Sequence, residues 1–184
     1  MIFLPQSIPD IFLIKPTLHG DNRGFFAETF RQDLLDQAIG NETTFIQDNE
    51  SKSSKGVLRG LHYQLPPFAQ TKLVRVISGS VLDVVVDIRR SSKTFGNFLS
   101  FELSEENKHQ LYIPKGFAHG FVVLSDFATF AYKVDCFYSP KYERGIAFDD
   151  KSLNIDWGLP STKIQLSEKD LKNPELANAK DLFY

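Results

Sequence analysis

Residues Leu73–Ile88 read LVRVISGSVLDVVVDI, two runs of branched aliphatic residues on either side of Ser78-Gly79-Ser80. Val and Ile fit a pleated, half-buried surface, and a Gly-containing break between two such runs predicts a β-hairpin turning at Gly79. Similar short runs, rich in Val, Ile, Phe, Leu and Tyr, lie upstream at Ile11–Lys15, Phe25–Arg31, Thr44–Asn49 and Val57–Gln64. Others follow at Phe98–Leu103, Gln110–Ile113, Phe121–Leu124 and Phe127–Tyr138. Many short strands separated by Gly, Pro, Ser and Asn predict an antiparallel sandwich or barrel. Helical signals are few: Asp33–Ile39 closed by Gly40, and a segment beginning at Ser167 that Pro174 interrupts. The 17 Phe and 6 Tyr are mostly a core signal in such a fold.

The 184 residues, with no composition shift to mark a linker, predict one mainly β domain over 1–184. With 21 Lys plus Arg against 23 Asp plus Glu, the net charge is -2. A general nucleic-acid binder needs a basic surface, so none is expected here. The single Cys136 excludes an intrachain disulfide and fits a reducing, cytoplasmic setting. The opening MIFLPQSIPDIFLIKP has no basic flank and is broken by Pro5, Pro9 and Asp10, so neither a signal peptide nor a membrane span is expected.

Dinucleotide, P-loop, zinc-protease and nucleophile-elbow motifs are all missing. His19, His62, His109 and His119 do not fall at metal-ligand spacing, so no metal is expected. What remains is a set of polar residues on otherwise apolar segments. Arg59 and His62 occupy GVLRGLHYQ, where an interior strand would prefer Val or Ile, which points to a concave site for an anionic substrate. Alternation would put them on opposite faces unless Gly60 hosts a bulge. Taken alone, His62 also fits a hydrogen-bonded core histidine, and Lys72 an edge-strand lysine that blocks aggregation. Tyr132 and Tyr138 share strand parity, which would put them on one face about 20 Å apart. Cys136 between them reads as a small buried hydrophobe. Ser167-Glu168-Lys169-Asp170 fits a capping box with Asp170 at a helix start, and Arg23 and Glu28 flank the turn Asp21-Asn22-Arg23-Gly24 as solvated charges.

As ordered blocks these segments resemble one family over nearly the whole chain. Residues 21–30 (DNRGFFAETF), 45–96, 110–125 (QLYIPKGFAHGFVVLS), 132–146 (YKVDCFYSPKYERGI) and 166–174 (LSEKDLKNP) are similar to the dTDP-4-dehydrorhamnose 3,5-epimerases, RmlC-type enzymes of the cupin superfamily. The resemblance implies a cupin-type jelly-roll barrel with a few short helices, a homodimer with shared strands, no cofactor, and a dTDP-4-keto-6-deoxyhexose as the nucleotide-sugar substrate. It implies His62 as general base, Asp170 as its partner and Tyr132 as general acid, with Lys72 and His119 near the sugar carbonyl. Arg23, Glu28, Gln47, Asn49, Arg59, Glu143 and Lys169 would hold nucleotide and sugar, and Tyr138 would stack on the thymine. Glu50 departs from the pattern, which has His in QDNHS, and bears on fine substrate preference. A relative that inverts one centre, or a noncatalytic nucleotide-sugar binder, are the rival readings.

Overall fold

The computed structural model describes residues 1–184. Thirteen strands build the molecule, and eleven of them form two antiparallel sheets. The first sheet has the order β1 (Ile2–Pro5), β2 (Phe12–Lys15), β10 (Gln110–Ile113), β7 (Lys72–Ser78), β12 (Phe127–Val134) and β5 (Gln47–Ser54). The second has β13 (Glu143–Gly145), β6 (Leu58–Gln64), β11 (Phe117–Val123), β8 (Ser80–Asp87) and β9 (Phe98–Ser104). Strands β3 (Leu18–Asp21) and β4 (Gly24–Ala27) pair only with each other. This is the jelly-roll class expected, with one α-helix, α1 (Gln32–Ile39), ended by Gly40 at φ 74° with its N–H on the Asp36 carbonyl.

The hairpin expected at Leu73–Ile88 does not form. β7 pairs with β10 and β12, while β8 pairs with β11 and β9, so the chain changes sheet at Gly79. Gly79 sits at φ 79°, and a Cβ there would come 2.0 Å from the Phe127 carbonyl oxygen, so the corner admits only glycine. The run VLDVVVD shows why the two strands separate. Alternate residues of β8 face two different cores, Val81 and Val85 toward one and Val84 and Val86 toward the other. A strand covered on both faces reads as continuously apolar and carries no mark of its pairing partner.

The first core fills the space between the sheets, with Val74, Val76, Val81, Val85, Leu111, Phe117, Phe121 and Phe130 among its buried members. The second lies on the outer face of β6, β8 and β11, where the C-terminal segment covers it with Leu153, Trp157, Leu176 and Leu182. A small third cluster, Ile14, Leu35, Leu73 and Tyr112, seats α1 on the other sheet. The C-terminal helix expected from Ser167 is reduced to a single 3-10 turn, Asp170–Lys172. Asn173 is extended at ψ 139°, as a residue preceding Pro174 prefers, and the helix cannot continue.

Candidate active site

The inner faces of both sheets turn polar at one end of the sandwich, around a cavity of about 770 Å³. Its placement begins with β6. The register pairs His119 with His62 but Phe121 with Arg59, so β6 carries one residue more than β11 over this stretch. The extra residue is Gly60, at φ 143°, whose missing Cβ would stand 2.5 Å from the Gly120 Cα. Leu58, Leu61 and Tyr63 therefore face the second core while Arg59 and His62 both enter the cavity. The bulge expected at Gly60 is present.

His62 Nε2 lies 2.5 Å from Asp170 Oδ1. Asp170 is buried, and its backbone N–H is held by Ser167 Oγ at 3.1 Å. Burial works against its charged form, but the His62 and Ser167 hydrogen bonds prevail and hold the carboxyl below the ordinary carboxylate value. Ser167 thus caps the turn as read from sequence, whereas the Asp170 side chain serves His62 rather than a helix end. Across the cavity, on the opposite sheet, stands Tyr132. Burial raises its phenol above the ordinary value, against the pull of Arg59, so it is protonated at neutral pH.

Lys72 begins β7, a central strand, which removes the edge-lysine reading. It continues the inward row of Val74 and Val76 into the cavity, where burial lowers its ammonium to about 8 against the attraction of Asp83 and Glu143. His119 is 7% exposed, with Nε2 2.9 Å from Oδ2 of the fully buried Asp83. Desolvation lowers His119 and raises Asp83, and each opposes the other's shift. Sequence reading missed Asp83; an acid inside the apolar run VLDVVVD was the available signal. No three His, Cys, Asp or Glu side chains come together as a metal-ligand set.

Arg59 reaches Ser53 Oγ at 3.1 Å, and Asn49 and Lys169 line the same cavity. Gln47 donates to Asn49 Oδ1 at 2.7 Å. Glu143 accepts from Lys169 at 2.8 Å and from the Tyr138 hydroxyl at 2.7 Å, which joins these two residues to the cavity rim. The Tyr138 bond to Glu143 raises that phenol to about 12. Tyr138 does not share a strand face with Tyr132: β12 ends at Val134, and Tyr138 is 54% exposed on the following loop. Cys136 on that loop is half-buried rather than part of the core. Arg23 and Glu28 stay away from this chain's cavity; Arg23 pairs with Asp21 on the β3–β4 hairpin, and Glu28 lies beside Arg31.

The sequence signature described as dTDP-4-dehydrorhamnose 3,5-epimerase matches residues 5–178. A dTDP-4-dehydrorhamnose 3,5-epimerase of Shigella flexneri is 54% identical over 179 residues, 97% of this chain and 98% of the relative. The crystal structure of dTDP-6-deoxy-D-glucose-3,5-epimerase RmlC from Legionella pneumophila, in complex with dTDP-4-keto-L-rhamnose, is 46% identical with a TM-score of 0.94, covering 100% of this chain and 98% of that one. A 3'-monoepimerase from Streptomyces bikiniensis, in complex with dTDP-quinovose, is 35% identical with a TM-score of 0.88 over 96% and 88% of the two chains.

Proposed function

Because the chain belongs to the dTDP-4-dehydrorhamnose 3,5-epimerase family, we propose that its cavity carries out the double inversion with His62 as base, Tyr132 as acid and Lys72 as the cation at the substrate's C4 oxygen. The enzyme is an isomerase of rhamnose biosynthesis, and its substrate is a dTDP-4-keto-6-deoxyhexose. C3 and C5 both flank the C4 ketone. Loss of a proton from either gives an enolate on the same oxygen, so one fixed cation serves both inversions. A neutral imidazole is a competent base near pH 7, and Asp170 fixes its tautomer and stabilises the imidazolium. Inversion requires the returning proton to arrive from the other face. The observation that carries this reading is that His62 and Tyr132 project from opposite sheets into one cavity.

Arg59, Asn49 and Gln47, with Tyr138, Glu143 and Lys169 at the rim, hold the nucleotide and sugar, and His119 stands beside Lys72. The protein acts as one domain over 1–184 and as a homodimer in which the β3–β4 hairpin carries Arg23 and Glu28 to the partner's cavity. In support, a two-stranded hairpin is marginal by itself, yet this one exposes Phe25 at 59% and Phe26 at 66%. No helix is long and apolar enough to cross a membrane, and the single cysteine supports a cytoplasmic location. Proton NMR of the reaction with dTDP-4-keto-6-deoxyglucose in D2O tests the function. Deuterium at both C3 and C5 of inverted product is expected; label and inversion at one carbon only would make the enzyme a monoepimerase.

A further inference from the structure

Asp83 lies at the centre of an apolar strand, fully buried, where an unpaired carboxylate would be strongly disfavoured. Its only hydrogen-bond partner is His119, at 3.1 and 2.9 Å from its two oxygens. Register explains the contact: Asp83 pairs with Phe121 and His119 with Val85, so the two are diagonal neighbours on the inner face of adjacent strands. Lys72 lines the same cavity as His119, from the opposite sheet, and forms no ion pair of its own.

We infer that Asp83 is a positioning residue, the buried counter-charge, itself held by His119, that keeps the Lys72 ammonium protonated at the cavity wall; this rests on Lys72 being the cation of the proposed mechanism. The titratable and charged groups around Lys72 are Asp83 on β8, His119 on β11, His62 and Arg59 on β6, Tyr132 on β12, Glu50 on β5, Glu143 on β13, and Lys169 and Asp170 of the C-terminal segment. Of the four anions, Asp170 is bonded to His62, and Asp83 and Glu143 are the two whose charge acts on Lys72. Glu143 is already engaged by Lys169 and Tyr138, whereas Asp83 has only a neutral-prone, buried imidazole. Burial lowers Lys72, and Asp83 is the first of the two charges that resist the fall. Without it, an ammonium in this setting loses its proton within the physiological range.

The test is 13C NMR of the full-length enzyme labelled at lysine Cε and aspartate Cγ, with the Lys72 signal assigned by its loss in Lys72→Arg. Wild-type Lys72 should titrate near 8, and Asp83 should be ionised at neutral pH. In Asp83→Asn, the Lys72 midpoint should fall by about one pH unit or more. The alkaline limb of kcat should move with it, while dTDP affinity measured by calorimetry stays unchanged. A Lys72 midpoint identical in the two proteins overturns the inference. So does a protonated Asp83 at neutral pH in the wild type, a measurement that needs no variant to fold. Lack of turnover in the wild type would count against the epimerase mechanism alone, because the titration is read without substrate.

Discussion

Three buried aspartates show how neighbours decide whether a carboxylate serves stability or chemistry. Asp87 accepts from Arg89 at 2.8 and 2.9 Å, Ser92 at 2.7 Å and Thr94 at 2.6 Å. Although burial pushes it up, these donors bring it to about 2 from the ordinary 3.8. A depressed carboxyl contributes stability that is fully present above its unfolded value and is lost as pH falls through the folded one. Thermal unfolding should therefore show wild type more stable than Asp87→Asn by about 2 kcal/mol above pH 4, with the gap closing between pH 4 and pH 2. A gap independent of pH would mean that packing alone sets the difference. Asp170 and Asp83 instead face histidines at the cavity, where the partner can change its charge. The assignment of Tyr132 can be read by isotope exchange. Tyr132→Phe removes only the hydroxyl, so His62 should still form the enolate and return solvent deuterium to the original face. NMR should find deuterium in unreacted sugar and at least about 100-fold slower inversion, the usual effect of losing a positioned acid. Near wild-type inversion, or neither exchange nor inversion with normal binding, would remove Tyr132 from the acid role.

At the scale of elements, the site depends on a backbone irregularity as much as on side chains. Gly60→Ala would place a Cβ 2.5 Å from Gly120 Cα at φ 143°, so β6 must part from β11 or surrender its bulge. Either response turns His62 or Arg59 away from the cavity. We expect a loss of about 2 kcal/mol or more in thermal unfolding and a fall in kcat larger than that loss would produce through unfolded enzyme. Unchanged kcat in the folded fraction would show that His62 does not need the bulge. This feature was legible in the sequence, since two polar residues three apart with a glycine between them demand a change of phase. Strand positions were also legible, because period-2 alternation and Gly or Pro breaks are local. Pairing was not. LVRVISGSVLDVVVDI has every local property of a hairpin, and only the packing of Val84 and Val86 against the C-terminal segment, far away in sequence, draws β8 into the other sheet. Strands β3 and β13 were missed because LHGD and ERG carry no alternating apolar pattern, and β1, Ile2–Pro5, because Pro5, Pro9 and Asp10 break the opening segment. Asp83 was missed for a related reason: its meaning depends on His119, 36 residues away.

The whole molecule raises the question of what the β3–β4 hairpin is for. It pairs with no other strand, exposes Leu18, Phe25 and Phe26, and leaves the Arg23 side chain 85% exposed. Solvated aromatics on a lone hairpin are unfavourable unless a second surface covers them. A second copy related by a twofold axis would cover both hairpins alike, since such an interface is self-complementary. Light scattering should accordingly give a mass roughly twice the 20.9 kDa of the chain. Dimerisation alone does not say which cavity Arg23 serves, but mixing does. If each cavity combines its own His62 with the partner's Arg23, Arg23→Ala and His62→Ala are defective separately for different reasons. In a hybrid dimer the Arg23→Ala subunit keeps His62 and receives an intact Arg23, while its neighbour's cavity loses both. Co-refolding equal amounts should yield half hybrids, each with one complete cavity, and so restore about a quarter of wild-type activity at subsaturating substrate. If Arg23 serves the cavity of its own chain, no cavity in the mixture holds both residues, and activity stays at the level of the separate variants. Restoration therefore reads out the exchange of hairpins directly, without any change in mass, fold or nucleotide affinity of the parent proteins being needed to interpret it.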